Sequence, residues 1–265
     1  MYNATNILNA YNYESICDYS IIPPYGKYVT AELLSQDATI FCKTDFIDYL
    51  FNEIKDSKNS YTLITHHSDY PIDAERWHIK PTCIKKWYAI NPTINHCDLI
   101  AIPLGLKTHK GAYLEPQYMT EWFAANINIL RENKKKYNIY CNWNNTNISR
   151  NTIISNLTAN KLDFTYDSNI SFNEYITRMS QHRFVISPPG NGIDCHRTWE
   201  ALYVGCIPIV IKNDIYNNWN LPIIQVNDFS DVTQDLLESY YLPATDNNIL
   251  TIEYWKNLIK HEFKA

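Results

Sequence analysis

The sequence predicts an α/β protein of two lobes, each built on a mostly parallel sheet. Three observations predict it. Short apolar runs alternate with helix-like segments along the chain. The alternation restarts after a charged run at 131–136. A chain of 265 residues, 45% hydrophobic and only 19% charged, can give each of two lobes its own core.

In the first half, residues 39–42 (TIFC) form a short apolar strand. Residues 46–55 have helical spacing, with Phe46, Tyr49, Leu50 and Ile54 on one face. Residues 61–65 make a second strand that runs into His66, His67, Ser68 and Asp69. Residues 99–104 are another strand, closed by Gly105, and 121–130 a helix. The charged run at 131–136 (RENKKK) is the natural place for a lobe boundary, dividing 1–132 from 133–265, and it equally fits a solvated helix end. In the second half, strands are expected at 137–141, 184–186, 207–211 and 223–226. Helices are expected at 149–157, 172–180, 195–204, 231–240 and 252–263, the last able to pack back on the first lobe.

Composition excludes several functions. The net charge is -5 and no basic run exceeds three residues, so a nucleic-acid partner is not expected. Seven cysteines without a C-x-x-C pair argue against a disulfide framework or structural zinc, and read as reduced thiols in a cytoplasmic compartment. The N-terminal residues are polar and no apolar run reaches the ~18 residues of a membrane span, so neither signal peptide nor span is expected. The 21 Tyr and 7 Trp could line a sugar cleft, although most should fill cores.

Residues 184–211 (FVISPPGNGIDCHRTWEALYVGCIPIVI) carry the chemistry. They read as strand, glycine-rich turn, helix and strand. Gly190 and Gly192 permit close backbone approach and positive φ, Asp194 suits an N-cap, and Gly205 ends the helix before Pro208. A glycine-rich turn feeding a helix N-terminus cradles phosphate through free N–H groups and the helix dipole. Arg197 adds a guanidinium in the first turn. Glu200, three residues on, can accept both hydroxyls of a ribose; the pair also fits a surface ion pair. Trp199, Leu202 and Cys206 fit the core face. His196 and Glu200 have metal-pair spacing, but no third ligand is evident, so no metal is expected.

The stretch PPGNGIDCHRTWEALYVGCIPIV resembles the donor-site motif of exostosin-like glycosyltransferases, above all the short members of large DNA viruses and some microbes. Residues 63–69, 86–89, 102–105 and 144–150 also match; position 67 is His where that pattern has Asn, and 106–111 is less typical. The resemblance implies a GT-B-like fold of two facing Rossmann-like lobes and an inverting transfer of sugar from a nucleotide sugar, UDP-xylose among the UDP-sugars, to a carbohydrate hydroxyl. It implies that Arg197 binds the donor diphosphate with the turn Gly190, Asn191 and Gly192, that His196 is also on the donor side, that Glu200 binds the ribose, and that Arg150 is a second diphosphate candidate, a position that equally fits a surface Arg near a turn. It puts His67 and Trp87 on the acceptor side and, for a viral protein, places the chain in host cytoplasm.

Transfer needs a stabilised leaving group, a deprotonated acceptor and alignment of both. The sequence has no Asp-x-Asp, the usual divalent-ion motif, and Gly192 stands where Glu-x7-Glu would need its first Glu. Both absences favour inverting, metal-independent chemistry with no cofactor beyond the donor. Asp69, at the carboxyl edge after an apolar strand, is the first choice of general base and His66 the second; Asp69 also suits a turn before Tyr70 and Pro71. Two other classes compete: a non-catalytic carbohydrate- or nucleotide-binding protein, and a dinucleotide-dependent oxidoreductase with Asp214 as its acidic residue.

Overall fold

The computed structural model describes residues 1–22, 30–107, 117–144, 146–241 and 246–261. It contains two five-stranded sheets, both parallel throughout, with α-helices or 3-10 turns between most successive strands and a loop alone between Ile84–Ala89 and Leu99–Ala101. Contacts divide the chain into two units. One comprises Leu8–Leu104 and the C-terminal helix, the other Met1–Ile7 and Gly105–Thr251.

The first unit opens with α1 (Ala10–Ser15), β1 (Tyr19–Ile21) and β2 (Ala38–Lys43). There follow α2 (Ile47–Ile54), β3 (Tyr61–His66), α3 (Ala74–His78), β4 (Ile84–Ala89) and β5 (Leu99–Ala101). The strands lie in chain order, β1-β2-β3-β4-β5. Side chains alternate across a strand, so each buried strand serves two faces. Ile40, Cys42, Leu63, Trp87 and Ala89 meet Ile47, Leu50, Phe51 and Ile54 of α2 on one face. On the other, His66 lies against Phe41 and Tyr13 of α1. Enclosing an aliphatic side chain such as Leu63 contributes about 1.5–3 kcal/mol.

The second unit runs α4 (Gln117–Arg131), β6 (Tyr137–Cys141), α5 (Ile153–Ala159), β7 (Phe164–Tyr166), α6 (Phe172–Met179) and β8 (His182–Ile186). It continues through α7 (His196–Tyr203), β9 (Ile207–Ile211), β10 (Ile224–Val226) and α8 (Gln234–Ser239), before α9 (Ile252–His261) joins the first unit. Its strand order is β10-β9-β8-β6-β7. The chain steps outward from β6 to β7 and then returns across β6 to β8, so the direction of winding reverses between β6 and β8. In such sheets a crevice opens at that reversal, beyond the carboxyl ends of the strands.

The expected boundary at 132/133 is displaced to 104/105. Helix α4 belongs with the second sheet because Trp122 and Phe123 pack on Phe172 of α6. The charged run at 131–136 is a helix end whose cations serve the second unit. Strands β1, β4 and β7 are additional to those the sequence predicts. Strand β4 (IKKWYA) carries two lysines that interrupt its apolar pattern, while β1 and β7 have only three residues each.

Helix α7 ends as its sequence predicts. Gly205 has φ +73°, Cys206 N donates to Ala201 O, and Gly205 N donates to Leu202 O. A Cβ at position 205 would also lie 3.3 Å from Arg131 Cγ. Gly205→Ala is expected to destabilise the protein by about 1–2 kcal/mol, the cost of a left-handed backbone for an L residue, measurable by urea unfolding. Among the described residues, no helix is long and apolar enough to cross a membrane.

Candidate functional site

The reversal between β6 and β8 brings two loops together, and Arg150 ties them. It closes a 3-10 turn, Ile148–Arg150, after β6. Its side chain is buried. Nη1 donates to Asn144 O at 2.6 Å and Thr146 Oγ1 at 2.9 Å. Nε donates to Pro189 O at 3.0 Å and Nη2 to Pro188 O at 3.2 Å. Asn147 Nδ2 adds a bond to Gly190 O at 2.9 Å. The carbonyls of Pro188 and Pro189, beyond the end of β8, thus find their donors in one guanidinium that also holds Asn144 O. Arg150 therefore acts as a clamp between the loop after β6 and the loop after β8.

The glycine turn serves this clamp. Neither Gly190 nor Gly192 has positive φ, which corrects that expectation. A Cβ at Gly190 would lie 3.4 Å from Arg150 Nη2, at the edge of ordinary van der Waals contact, so packing against the clamp does not by itself demand glycine there. Asn191 is exposed at the tip of the turn.

Asp194 is not the N-cap of α7. That position is Cys195, with no side-chain cap. The buried Asp194 carboxylate instead accepts from Cys195 N at 2.8 Å, Trp199 Nε1 at 2.7 Å and Tyr216 OH at 3.1 Å, pinning the helix start to the turn after β9. Ser187 Oγ lies 2.9 Å from Thr198 Oγ1 and joins the end of β8 to the first turn of α7. The other end of α7 is capped by cations. Arg131 Nη1 donates to Leu202 O and Tyr203 O, and Lys135 Nζ donates to Val204 O. The negative pole of the helix is thus met by two positive charges, while at the positive pole the Cys195 side chain makes no cap and the Asp194 carboxylate holds the Cys195 N–H.

Arg197 and Glu200 stand on this helix. Arg197 is half-buried. Its Nε is enclosed and has no hydrogen-bond partner among the described residues, and its Nη1 only approaches Cys195 Sγ, at 3.9 Å. Burial opposes its charge, yet Tyr175, Cys195 and Glu200 together hold the guanidinium above its ordinary pKa. Glu200 is 5% exposed, and its Oε2 accepts from Tyr175 OH at 2.8 Å. Burial raises its carboxyl above the usual range, against the Tyr175 hydrogen bond and the charges of Arg197 and Lys107. Arg150 is held below its usual value by burial and then by the charge of Arg197, so the two guanidinium groups repel each other. The surface ion pair that the Arg197–Glu200 spacing also fitted does not form: Glu200 is buried and bonds to Tyr175. His196 Nδ1 lies 2.8 Å from Gly105 O, a bond to the segment after β5. Among the described residues the one cluster with metal-ligand proximity is exposed and lies elsewhere, at His96, Cys97 and Asp98.

In the first unit the strand end at β3 carries the other named residues. His66 is buried, with its Nδ1 accepting from His67 N at 2.8 Å. His67 has φ +62° and touches Tyr11 and Phe41 edge-on. That left-handed region favours Asn, Asp and His among non-glycine residues, so His67 suits its backbone conformation. Asp69 is exposed just beyond. Trp87 is a correction: it is fully buried in the first core, stacked on Trp77, with Nε1 donating to Thr65 Oγ1 at 2.8 Å. It fills the core and is closed to an acceptor. Residues 108–111 of the atypical segment lie outside the described residues.

Sequence reasoning missed Tyr175, Arg131 and Lys135. Tyr175 shares a helical stripe with Phe172, Ile176 and Met179 and reads as core. Only the fold reveals that its hydroxyl reaches a carboxylate 25 residues on. Comparison with known proteins finds no family model that matches the chain and no matching curated protein.

Proposed function

We propose that this chain is a glycosyltransferase that binds a nucleoside-diphosphate sugar on its second unit and transfers the sugar, with inversion, to a carbohydrate hydroxyl. One observation carries the reading. At the winding reversal of the second sheet, a helix start without a cap from the Cys195 side chain stands with a guanidinium that makes no ion pair among the described residues and with a buried carboxylate that has one oxygen engaged. The two cations ask for an anion of more than one charge, and the helix start offers it N–H groups. The carboxylate asks for hydroxyl donors within a residue's length of that anion. A nucleoside diphosphate offers both groups, and the resemblance of residues 188–210 supports the same choice. UDP is the expected nucleotide.

Arg197 and Arg150 would stabilise the charge that grows on the leaving diphosphate, supported by the positive pole of α7. The acceptor proton would go to the carboxylate of Asp69, exposed at the end of β3. This chemistry requires no divalent ion or further cofactor.

Calorimetric titration with UDP tests the donor site. Wild-type protein is expected to bind, and Arg197→Ala to lose about 1.5–3 kcal/mol, the range for a hydrogen bond to a charged group. Equal affinity in Arg197→Ala and Glu200→Gln would remove α7 from the site. Turnover should survive exhaustive chelation; loss with EDTA and recovery with Mn²⁺ would sink the metal-independent mechanism.

A further inference from the structure

Glu200 has an arrangement that a ribose ligand alone does not explain. It is 5% exposed and shares one oxygen with a side chain from another helix. We propose that Tyr175 is a positioning residue: its hydroxyl fixes the Glu200 carboxylate so that Oε1 is presented to a vicinal diol. This deepens the proposed donor site and rests on that reading.

The geometry is specific. Tyr175 is on α6 and Glu200 on α7, and the 2.8 Å bond from Tyr175 OH to Oε2 joins the two helices. A glutamate side chain has three rotatable bonds, so without this bond the carboxylate could turn toward Arg197, also on α7. With it, Oε2 is engaged, and Oε1 has no partner among the described residues. The Tyr175 ring is itself held, between Phe172 at 6.2 Å and Tyr140 at 6.0 Å between centroids.

The same bond sets the charge state. Burial favours the protonated carboxyl; Tyr175 OH from α6, Arg197 from α7 and Lys107 from the segment after β5 favour the carboxylate. A protonated Glu200 would give up one of its acceptor positions to the proton, and would meet a diol poorly. Removing the hydroxyl therefore raises the carboxyl pKa, and binding is lost as pH falls through that higher value. The sign follows from ionisation being required: affinity is full above the carboxyl's pKa and declines below it.

The test compares Tyr175→Phe with wild type, using UDP and 2′-deoxy-UDP as probes over a series from about pH 5 to 8.5. Wild-type protein should favour UDP over the deoxy analogue by about tenfold or more, because the analogue leaves a buried acceptor unpaired. Tyr175→Phe should cut that preference to about threefold and move the acid limb of UDP binding upward by about one pH unit. Where UDP binding by each protein has reached its alkaline plateau, the variant should bind UDP within about threefold of wild type. Carbon-13 NMR titration of the Glu200 carboxyl, assigned through Glu200→Gln, should show the upward shift without any ligand and in folded protein. An unchanged carboxyl titration together with an unchanged UDP/2′-deoxy-UDP ratio would overturn the role of Tyr175. Failure of wild-type protein to bind UDP would instead count against the donor reading, and the ligand-free titration would still decide whether Tyr175 governs Glu200.

Discussion

Replacing Asp69 by Asn is expected to lower turnover about 10²–10⁴-fold, the usual scale for removal of a general base, while UDP affinity stays near wild type. An acceptor hydroxyl is a poor nucleophile at neutral pH and needs a proton acceptor as it attacks. Asp69 is exposed at the carboxyl end of β3, whereas neighbouring His66 is enclosed and its Nδ1 accepts a backbone N–H. Asn keeps the shape and removes the basicity, so single-turnover assays separate chemistry from binding. His66→Gln is the companion variant. Near-native turnover in Asp69→Asn with a large loss in His66→Gln would reverse the roles, and near-native turnover in both would place the base outside this loop.

Arg150→Ala should strongly destabilise the second unit. The guanidinium supplies four hydrogen bonds, three of them to the carbonyls of Asn144, Pro188 and Pro189. Deleting it strands these acceptors around a void. With about 1–3 kcal/mol per unsatisfied buried group and partial rescue by entering water, a loss of about 3 kcal/mol or more is expected. In a chain of this size that is a fall of about 6–12 °C in melting temperature. The conservative variant Arg150→Lys should recover little, since an ammonium cannot span acceptors that a planar fork reaches. UDP binding should fall along with stability. A melting temperature within about 2 °C of wild type, the shift of a minor surface change, would show that water replaces the clamp.

The alternating pattern made the strands at β2, β3, β6, β8 and β9 legible, because apolar runs such as TIFC and IPIVI have the length and branching of buried strands. Helix α7 and its glycine end were equally legible, since a positive-φ terminus leaves a mark in one residue. The boundary was not. A run of Arg and Lys reads as solvated surface, and nothing local reveals that Arg131 and Lys135 reach carbonyls some 70 positions away. Asp194 misled for a similar reason. An Asp before a helix is a good cap in isolation, but Trp199 and Tyr216 supplied stronger donors inside the core. Trp87 looked available because aromatic residues serve sugar sites, whereas its strand faces the first core on that side. Burial and distant hydrogen-bond partners, as at Trp87 and Asp194, leave no local mark in the sequence.

Helix α7 is fastened at both ends before any ligand arrives: Asp194 holds its start, and Arg131 and Lys135 hold its last carbonyls. An anion arriving at its N-terminus meets a helix whose rotational and translational freedom is already gone. Little ordering of this element remains to oppose association, so affinity should depend weakly on helix propensity and strongly on ionic strength. Cutting one of the distant fastenings, for example with Arg131→Met, should then act as a slackened tether. It would slow nothing at the diffusion step and shorten the residence time of the nucleotide, although residue 131 contacts the opposite end of the helix.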